Sequence, residues 1–203
     1  MVFVTTRLVF MGTPEFSIPS LEALVLKYQV LASYTRPDKK AGRGQQLAFP
    51  PVKQLASSLG IQVVQPESLR GATAVEQLTS LAPDIIVVAA YGQILPPEIL
   101  AVPKLGCINV HASMLPKYRG SSPISAAILG GDEATGVTIM LMDAGVDSGP
   151  ILSQRQVPIS PDDTTGSLTP KLAQVGADLL METLPLWIEG KIKPQPQDAS
   201  QAT

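Results

Sequence analysis

The chain has 203 residues, of which 45% are hydrophobic and 4% aromatic, and its formal net charge at pH 7 is −2. This length fits one large domain with an aliphatic core, and the apolar fraction excludes a chain that is disordered overall. Proteins that bind nucleic acid over a whole face are basic, so any nucleic-acid partner of this chain is expected to bind through a local contact or through a part of the protein not present here. The single cysteine, Cys107, and the single histidine, His111, exclude an internal disulfide framework and a multi-histidine metal site.

The predicted elements alternate between strand and helix over the first two thirds of the chain. Short apolar runs predict strands over residues 7–12, 30–34, 61–64, 85–90, 107–111, 137–142 and 151–158. Helices are predicted over residues 16–28, 52–59, 73–81 and 123–129 and within residues 168–188. Residues 36–51 contain three prolines and two glycines and predict a long irregular loop.

The strand pattern predicts the fold class. Residues 85–90 are apolar at every position, which is typical of a strand covered on both faces in a parallel sheet. The alternation with helices then predicts a doubly wound, Rossmann-like α/β fold. Residues 151–158 follow a glycine-rich turn almost directly and are expected to form a hairpin with the preceding strand. We therefore expect a mostly parallel sheet with an antiparallel late strand.

The last third of the chain combines one long helix with a polar tail. Pro170 cannot occupy a regular helix interior, so this helix either begins there, with Thr169 as its N-cap, or is kinked. Residues 191–203 are polar and rich in proline and glutamine, which is typical of a linker. We expect a catalytic domain over residues 1–190 and a linker-like tail over residues 191–203. No apolar run reaches transmembrane length and no signal-peptide pattern is present, which predicts a cytoplasmic protein without membrane attachment.

Asn109 and His111 are the first residues with a chemical interpretation. Side chains alternate along a strand, so these two point to the same face at the end of a predicted strand, where α/β sheets bind ligands. An amide donor and an imidazole suit acyl transfer, because one stabilises an oxyanion and the other moves a proton. The alternative is a histidine satisfied by backbone groups beside an asparagine that caps a turn.

Two loops follow this strand in the region that the fold predicts for a site. Residues 112–120 contain a proline-terminated segment, which also fits a plain connection to the next helix. Residues 143–150 carry two carboxylates and two glycines between the hairpin strands. Because Asp and Gly favour turns, this segment fits a simple hairpin turn, but Asp147 could instead face His111 and supply a carboxylate.

Residues 106–120 (Gly-Cys-Ile-Asn-Val-His-Ala-Ser-Met-Leu-Pro-Lys-Tyr-Arg-Gly) and residues 136–149 resemble the two signature segments of the folate-dependent formyltransferases. The resemblance implies a formyltransferase fold, 10-formyltetrahydrofolate as formyl donor, no metal, and catalytic roles for Asn109, His111 and Asp147. It places a folate-contacting loop on Ser113, Met114, Leu115 and Pro116, where Met114 replaces a leucine of similar volume. The expected pterin pocket is formed by Val88, Tyr91, Gly92, Gln93, Ile94, Leu95 and Asp143.

Within this family the chain resembles the methionyl-tRNA formyltransferases, over roughly residues 7–190. Residues 10–16 (Phe-Met-Gly-Thr-Pro-Glu-Phe) match their opening segment, and residues 36–44 with 51–53 match their tRNA-entering loop. The resemblance implies formyl transfer to methionine on initiator tRNA. We also expect the protein to act as a monomer. The implied tRNA contacts are Arg36, Lys39, Lys40, Arg43, Thr13 and Pro14. A smaller C-terminal β-barrel domain of those enzymes has no counterpart here, so we expect a piece of a longer protein.

The basic loop has a physical interpretation of its own. Four basic side chains lie within eight residues against one acid, Asp38, in a chain that is otherwise acidic. Such a cluster attracts phosphate, and glycines let the loop adapt to a nucleic-acid end. The alternative is a solvated loop with incidental charge.

Three other functions remain open. A glycinamide ribonucleotide transformylase would share the three catalytic residues but needs a phosphate-binding first loop, where this chain has Glu15. An amino-sugar formyltransferase or a formyltetrahydrofolate hydrolase domain would share the fold without needing the basic loop. Finally, the chain could be a folate-binding module that is inactive on tRNA.

Overall fold

The computed structural model describes residues 6–41 and 46–203. Its strands are β1 (Arg7–Gly12), β2 (Gln29–Tyr34), β3 (Lys39–Ala41), β4 (Gln46–Ala48), β5 (Gln62–Val64), β6 (Ile85–Ala89), β7 (Cys107–His111), β8 (Ala134–Leu141) and β9 (Ile151–Pro158). Its α-helices are α1 (Ile18–Val25), α2 (Pro51–Ser58), α3 (Ala72–Ser80), α4 (Pro97–Leu100), α5 (Pro123–Leu129) and α6 (Thr165–Ile188). No helix in these two described segments is long and apolar enough to cross a bilayer.

The main sheet has the strand order β5-β2-β1-β6-β7-β8-β9. Strands β5, β2, β1, β6 and β7 are parallel, whereas β8 is antiparallel to both of its neighbours. The prediction of a mostly parallel, Rossmann-like sheet that ends in an antiparallel hairpin is confirmed. Strand β6 is buried at all five positions, as its continuous apolar run predicts for a strand covered on both faces.

Two apolar clusters cover the two faces of the sheet. One contains Ile108 and Val110 of β7 together with side chains of α1 and α6, and the other contains Cys107 of β7 with side chains of α3 and α4. Gly176 lets α6 approach the sheet, because an added Cβ would lie 2.8 Å from a methyl group of Val110. The alternation along β7 therefore turns Asn109 away from α6, toward the face that carries Cys107.

The segment over residues 36–51 differs from the predicted irregular loop. Lys39–Ala41 and Gln46–Ala48 pair as a short antiparallel hairpin, with Lys39 opposite Ala48. The three prolines lie outside the two paired stretches, so none of them removes a hydrogen-bond donor from the ladder. The prediction of an irregular loop gave these prolines too much weight as residues that interrupt secondary structure. Arg43 and the two glycines of this segment lie outside the described residues.

Helix α6 begins at Thr165, so the alternative in which it starts at Pro170 with Thr169 as its N-cap is wrong. Thr164 is the N-cap, and it forms a reciprocal capping box with Ser167. Pro170 therefore lies inside the helix, where it removes one backbone hydrogen bond. Burial of Leu168 and other apolar side chains against the sheet offsets that loss.

The polar tail lies against the sheet edge and the loops near β7. The backbone of Gln195 pairs with that of Ile151, and the backbone of Thr203 bonds to the Pro116 carbonyl and the Arg119 amide. A short 3₁₀ turn spans Ala199–Gln201. The division into a domain over residues 1–190 and a linker-like tail stays a prediction.

Candidate active site

A cavity of about 780 Å³ opens at the carboxyl ends of β6 and β7. This is the edge at which parallel α/β sheets bind ligands, and the volume is that of a small-molecule site. Among its lining residues are Asn109, His111, Asp143 and Asp147, and also the predicted pocket residues Val88, Tyr91, Gly92, Gln93, Ile94 and Leu95. The structure thus brings the two predicted halves of the pocket to one space.

Asn109, His111 and Asp147 form a single cluster on the wall of this cavity. The Asn109 Nδ2 donates to Asp147 Oδ1 at 3.1 Å, and His111 Nδ1 lies 3.6 Å from Asp147 Oδ2. Asn109 and His111 are 8% and 5% exposed, respectively, so the cluster is largely withdrawn from water. Partial burial strengthens each polar interaction between them. One carboxylate therefore contacts both residues of the strand motif.

The hydrogen bond of His111 to the backbone fixes its tautomer. Its Nε2 lies 2.8 Å from the carbonyl oxygen of Tyr118. Because a carbonyl oxygen only accepts, Nε2 carries the hydrogen, and in the neutral ring Nδ1 is left as the basic nitrogen facing Asp147. The alternative interpretation, a histidine satisfied by backbone groups, therefore holds for Nε2 only. The other ring nitrogen, Nδ1, faces a carboxylate in a cavity.

The turn that presents Asp147 is built by its own residues. Asp147 itself has φ of +47°, in the left-handed region that Asp tolerates better than most residues. Asp143 Oδ1 accepts from the Gly145 amide at 3.0 Å and from the Ser148 hydroxyl at 2.9 Å. Gly149 has no room for a side chain, because a Cβ would collide with the carbonyl of Leu141. The Asp and Gly pattern therefore forms a hairpin turn and also directs the Asp147 carboxylate to the cavity.

The predicted folate-contacting loop lies behind the cavity wall. Ser113, Met114, Leu115 and Pro116 are not among the residues that line the cavity, and Ser113 and Leu115 are buried. Thr138 Oγ1 donates to the Ser113 carbonyl at 2.7 Å and accepts from the Leu115 amide at 3.1 Å. Gln154 Nε2 also bonds to both Thr138 Oγ1 and the Leu115 carbonyl at 2.9 Å. The loop follows His111 directly, so these bonds fix its path; folate contact by this loop stays a prediction.

The opposite wall of the cavity is held through its backbone. Thr13 Oγ1 donates to the Tyr91 carbonyl at 2.7 Å, and Arg36 donates to the Gly92 carbonyl at 2.7 Å. Gln93 donates to the Pro66 carbonyl at 2.9 Å. Tyr91 is 1% exposed, and this burial raises the pKa of its phenol. Ile94, by contrast, is 72% exposed and leaves an apolar side chain at the rim.

The predicted tRNA contacts fall into two groups. Pro14 lines the cavity, whereas Thr13 and Arg36 are not among its lining residues and instead bond to the carbonyls of Tyr91 and Gly92, which are. Lys39 is exposed on β3 and Lys40 is its neighbour there, whereas Arg43 lies outside the described residues. The structure thus brings Pro14 to the cavity, places Thr13 and Arg36 against the backbone of its wall, and puts the lysines on the hairpin that follows Arg36.

The one acid of the basic segment is neutralised within the structure. Asp38 pairs with Lys53 and accepts from Gln65 at 2.8 Å. The hydrogen bond from Lys53, followed by that from Gln65, lowers the pKa of this carboxyl. The negative charge of Asp38 is therefore balanced by Lys53, which lies outside the basic segment over residues 36–44.

Three contributors to the cluster escape sequence reasoning. The Gly120 amide donates to Asp147 Oδ2 at 2.8 Å, and Tyr118 supplies the carbonyl that His111 binds. Gln197, in the tail, donates to the Asp147 carbonyl at 2.8 Å. Gly120 and Tyr118 act through backbone atoms, which leave no sequence signal beyond a glycine, and Gln197 lies in a segment whose composition indicates a linker.

The residues that the structure describes hold no group of three or more His, Cys, Asp or Glu side chains suited to a metal ion. Cys107 is buried, and its burial raises the pKa of the thiol to about 12. A thiol with that pKa stays protonated at neutral pH and is a poor nucleophile. The titratable chemistry of the cavity is therefore that of one imidazole and the carboxylates beside it.

Comparison with known proteins shows the family of the chain. The sequence profile of the family described as "Formyl transferase" matches residues 6–184. The chain belongs to the formyl transferase family. Two similar relatives are named methionyl-tRNA formyltransferase. The one from Roseiflexus sp. (strain RS-1) is 54% identical over 97% of this chain and 61% of its own length. The one from Halorhodospira halophila is 54% identical over 94% of this chain and 62% of its own length. The chain thus spans less than two thirds of these relatives.

Solved structures of formyltransferases share the fold. Glycinamide ribonucleotide transformylase 1 from Symbiobacterium toebii has a TM-score of 0.79 at 21% identity, over 96% of this chain and 95% of its own. The N-formyltransferase from Helicobacter canadensis, in complex with folinic acid and dTDP-3-aminofucose, has a TM-score of 0.75 at 22% identity, over 98% and 70%. At these identities the likeness shows the fold alone, and it agrees with the prediction from the sequence.

Proposed function

We propose that the protein transfers the formyl group of 10-formyltetrahydrofolate to the α-amino group of methionine on initiator methionyl-tRNA, for translation initiation. The observation that carries the proposal is the Asp147 carboxylate, bonded to Asn109 at 3.1 Å and facing His111 Nδ1 at 3.6 Å on a cavity wall. The naming of relatives that are about half identical as methionyl-tRNA formyltransferases supports the choice of acceptor.

The reaction exchanges one C–N bond for another. The neutral amine of methionine attacks the formyl carbon, a bond to N10 of the folate breaks, one proton leaves the amine and one proton reaches N10. An α-amino group has a pKa of about 7.7–8.0, so its neutral form is accessible near pH 7. Asn109 Nδ2 has two hydrogens, and one of them is donated in the hydrogen bond to Asp147. The other hydrogen is the donor for the tetrahedral oxyanion, an effect worth about 3 kcal/mol.

His111 and Asp147 handle the proton in this proposal. The Nε2 of His111 is engaged with the Tyr118 carbonyl, so Nδ1 is the nitrogen that exchanges a proton. Asp147 stabilises the imidazolium when Nδ1 is protonated, and it accepts the proton of the amine directly or through water. Without Asp147 a positive ring would lie in a mostly buried site with no counter-charge, which is costly.

The donor fits the cavity between residues 88–95 and residues 143–147. A pterin edge carries several donors and acceptors, and these two segments offer backbone carbonyls and amides with apolar side chains around them. The Helicobacter canadensis enzyme, which has the same fold, was solved with folinic acid. Both facts support a reduced formyl folate as the donor substrate.

The acceptor arm of the tRNA is expected on the hairpin side of the cavity. Arg36 and Lys39 supply positive charge there, the sequence of the same segment adds Lys40 and Arg43, and Asp38, the one acid of the segment, is paired with Lys53. Phosphate contacts of this kind provide affinity through counterion release. Thr13 and Pro14 then adjoin the aminoacyl end. We place the protein in the cytoplasm, where charged tRNA is found, and its action as a monomer stays a prediction.

A formylation assay with charged initiator tRNA and 10-formyltetrahydrofolate tests the proposal. Formylmethionyl-tRNA is the expected product, and the same assay with glycinamide ribonucleotide or an amino-sugar nucleotide is the comparison. Formylation of one of those small acceptors alone would contradict the tRNA assignment. Binding of folate with no transfer to any acceptor would support the folate-binding module instead.

A further inference from the structure

Gln197 connects the polar tail to the two loops that surround the catalytic cluster. Its Nε2 donates to the carbonyl oxygens of Asp147 and Gly149, both at 2.8 Å. Its Oε1 accepts from the guanidinium of Arg119, at 3.1 Å from Nε and 2.8 Å from a terminal nitrogen. The side-chain amide thus uses both ends, and it bridges the turn over residues 143–149 and the loop over residues 117–120.

Both bridged loops hold the catalytic side chains. Asp147 lies on the first, and the second supplies the Tyr118 carbonyl to His111 and the Gly120 amide to Asp147. The loop over residues 117–120 follows β7, and the turn over residues 143–149 joins β8 to β9. The two belong to different connections, so the bond between Gly120 and Asp147 needs them to keep a fixed separation. Gln197 bonds to both loops on either side of that bond.

The backbone at Asp147 has a conformation that needs support from its surroundings. The φ of +47° puts Asp147 in the left-handed region, which is disfavoured for a residue with a Cβ. Such a conformation persists only when its surroundings fix it. The hydrogen bond of Gln197 to the Asp147 carbonyl is a direct constraint on that peptide group.

The tail is brought to this place independently of the Gln197 side chain. The backbone of Gln195 exchanges two hydrogen bonds with Ile151 at the sheet edge, each 2.8 Å long. Thr203 bonds through its backbone and hydroxyl to residues 116–119. Gln197 also lies beyond residue 184, the last residue of the family match. Its bonds therefore join the tail to three residues inside the matched segment, Arg119, Asp147 and Gly149.

We propose that Gln197 is a positioning residue for formyl transfer, which acts by fixing Asp147 against His111 and Asn109. This rests on the function proposed above. Loss of its amide removes the bridge between the Asp147 turn and the Arg119 loop. Asp147 Oδ2 then alternates between the Gly120 amide and solvent. Because a misplacement of about 1 Å at a catalytic group costs about 100-fold in rate, kcat should fall sharply. Folate binding should change far less, because it also uses residues 88–95 and needs no such precise placement of Asp147.

Three variants test the proposal. Gln197→Ala removes both ends of the bridge. Gln197→Glu keeps an acceptor for Arg119 but places a carboxylate oxygen against two carbonyl oxygens, so the Asp147 end alone is lost. Gln195→Ala is the matched control, because among the residues that the structure describes that side chain bonds to the Lys193 carbonyl within the tail and to no other group. Steady-state formylation, thermal unfolding and hydrogen exchange at the Gly120 amide are measured for each.

We expect kcat to fall about 10- to 100-fold in both Gln197 variants, with the KM for folate within about twofold and the Gln195 variant like wild type. The Gly120 amide, whose hydrogen Asp147 accepts, should exchange faster in the Gln197 variants only. A uniform change in kcat, KM and unfolding temperature, or a wild-type kcat in Gln197→Glu, would overturn the proposal. If the wild-type protein formylates no tRNA, the proposed function fails, and unchanged Gly120 exchange in Gln197→Ala still decides against Gln197.

Discussion

The turn over residues 143–149 lines the cavity, the hairpin of β3 and β4 follows Arg36, which bonds to the cavity wall at Gly92, and the two are fixed in different ways. Asp147, in the turn, is bonded to Asn109 of β7, to the Gly120 amide and to Gln197 of the tail. The described part of the hairpin is anchored at its base, where Asp38 binds Lys53 and Gln65. Beyond that base, Leu47 is 55% exposed. The turn is thus cross-linked by three chain segments, whereas the bonds just given for the hairpin lie at its base.

This difference separates two tasks in the proposed reaction. Proton transfer and oxyanion stabilisation need atoms held within tenths of an ångström, which a cross-linked turn provides. Contact with a long polyanion needs reach and exposed charge more than fixed geometry. Variants in the turn should therefore change kcat, and variants in the hairpin should change the use of tRNA without changing the chemistry.

The strongest expected effect is at Asp147. Asn tolerates the left-handed backbone of this position, so Asp147→Asn keeps the turn while it removes the charge that faces His111. The new amide NH₂ would also face a donor, either Asn109 Nδ2 or the Gly120 amide. We expect kcat to fall by about two to three orders of magnitude, with the affinity for a folate analogue nearly unchanged.

The matched control for Asp147→Asn is Asp162→Asn, which removes an exposed carboxylate far along the chain from the turn. Formylation rates and folate titrations on both variants check the prediction. If folate affinity and kcat fall together in Asp147→Asn, the carboxylate supports the pocket as a structure and the comparison between turn and hairpin is lost.

A smaller effect is expected from the support behind the cavity. Thr138→Val keeps the shape of the side chain but leaves the Leu115 amide and the Ser113 carbonyl without their partner in a buried place. Unsatisfied groups of this kind cost about 1–3 kcal/mol each, so the unfolding temperature should fall by roughly 5–10 °C. Calorimetry or circular dichroism measures this change.

The same strand offers the control for Thr138. Thr135 is also buried on β8, and its hydroxyl has no hydrogen-bond partner among the residues that the structure describes. Thr135→Val should therefore be neutral or stabilising, because it removes a buried polar atom without breaking a bond. Equal destabilisation by the two variants would show that the Thr138 network does not hold the loop over residues 113–116.

The fold and the Asn109–His111 pair were predictable because each follows from a local period. Continuous apolar runs such as β6 indicate buried parallel strands, and alternation along β7 places two side chains on one face. The resemblance to formyltransferases then brought Asp147 into the predicted site. The geometry that makes it contact Asn109 depends on a turn and a strand 38 residues apart, which periodicity does not reach.

Other features were missed because they depend on tertiary contacts. Residues 36–51 look irregular by composition, but the pairing of Lys39–Ala41 with Gln46–Ala48 uses only backbone groups between the prolines. The loop over residues 113–116 follows His111 in sequence, yet Thr138 bonds draw it behind the wall. Gln197 is one of several glutamines in a polar tail, and only its partners distinguish it.

On the hairpin side, Lys39→Ala should weaken the use of tRNA modestly. Lys39 is exposed on β3, and the loss of one phosphate contact should lower kcat/KM for tRNA several-fold, by about 1 kcal/mol. The slope of log(kcat/KM) against log[salt] should become shallower by about one, while folate affinity stays constant. Lys27→Ala, at another exposed lysine, is the control; an unchanged salt slope in Lys39→Ala would assign the phosphate contact to other residues.

The smallest expected effect concerns the base of the hairpin. The hydrogen bond from Lys53 is the first cause of the lowered pKa of Asp38, and Gln65 is the second, so Lys53→Ala should raise that pKa toward the usual aspartate value without fully restoring it. Because the folded-state pKa lies below the unfolded one, this carboxylate stabilises the fold above pH about 4, and the contribution is lost as the pH falls through the folded pKa. The stability difference between wild type and Lys53→Ala should therefore be small at neutral pH and vanish in acid. An NMR titration of the Asp38 carboxyl measures the shift directly, with Lys27→Ala as reference. If the Asp38 pKa is the same in both variants, the hairpin is anchored by something other than this pair, and its contrast with the cross-linked turn must be drawn from other residues.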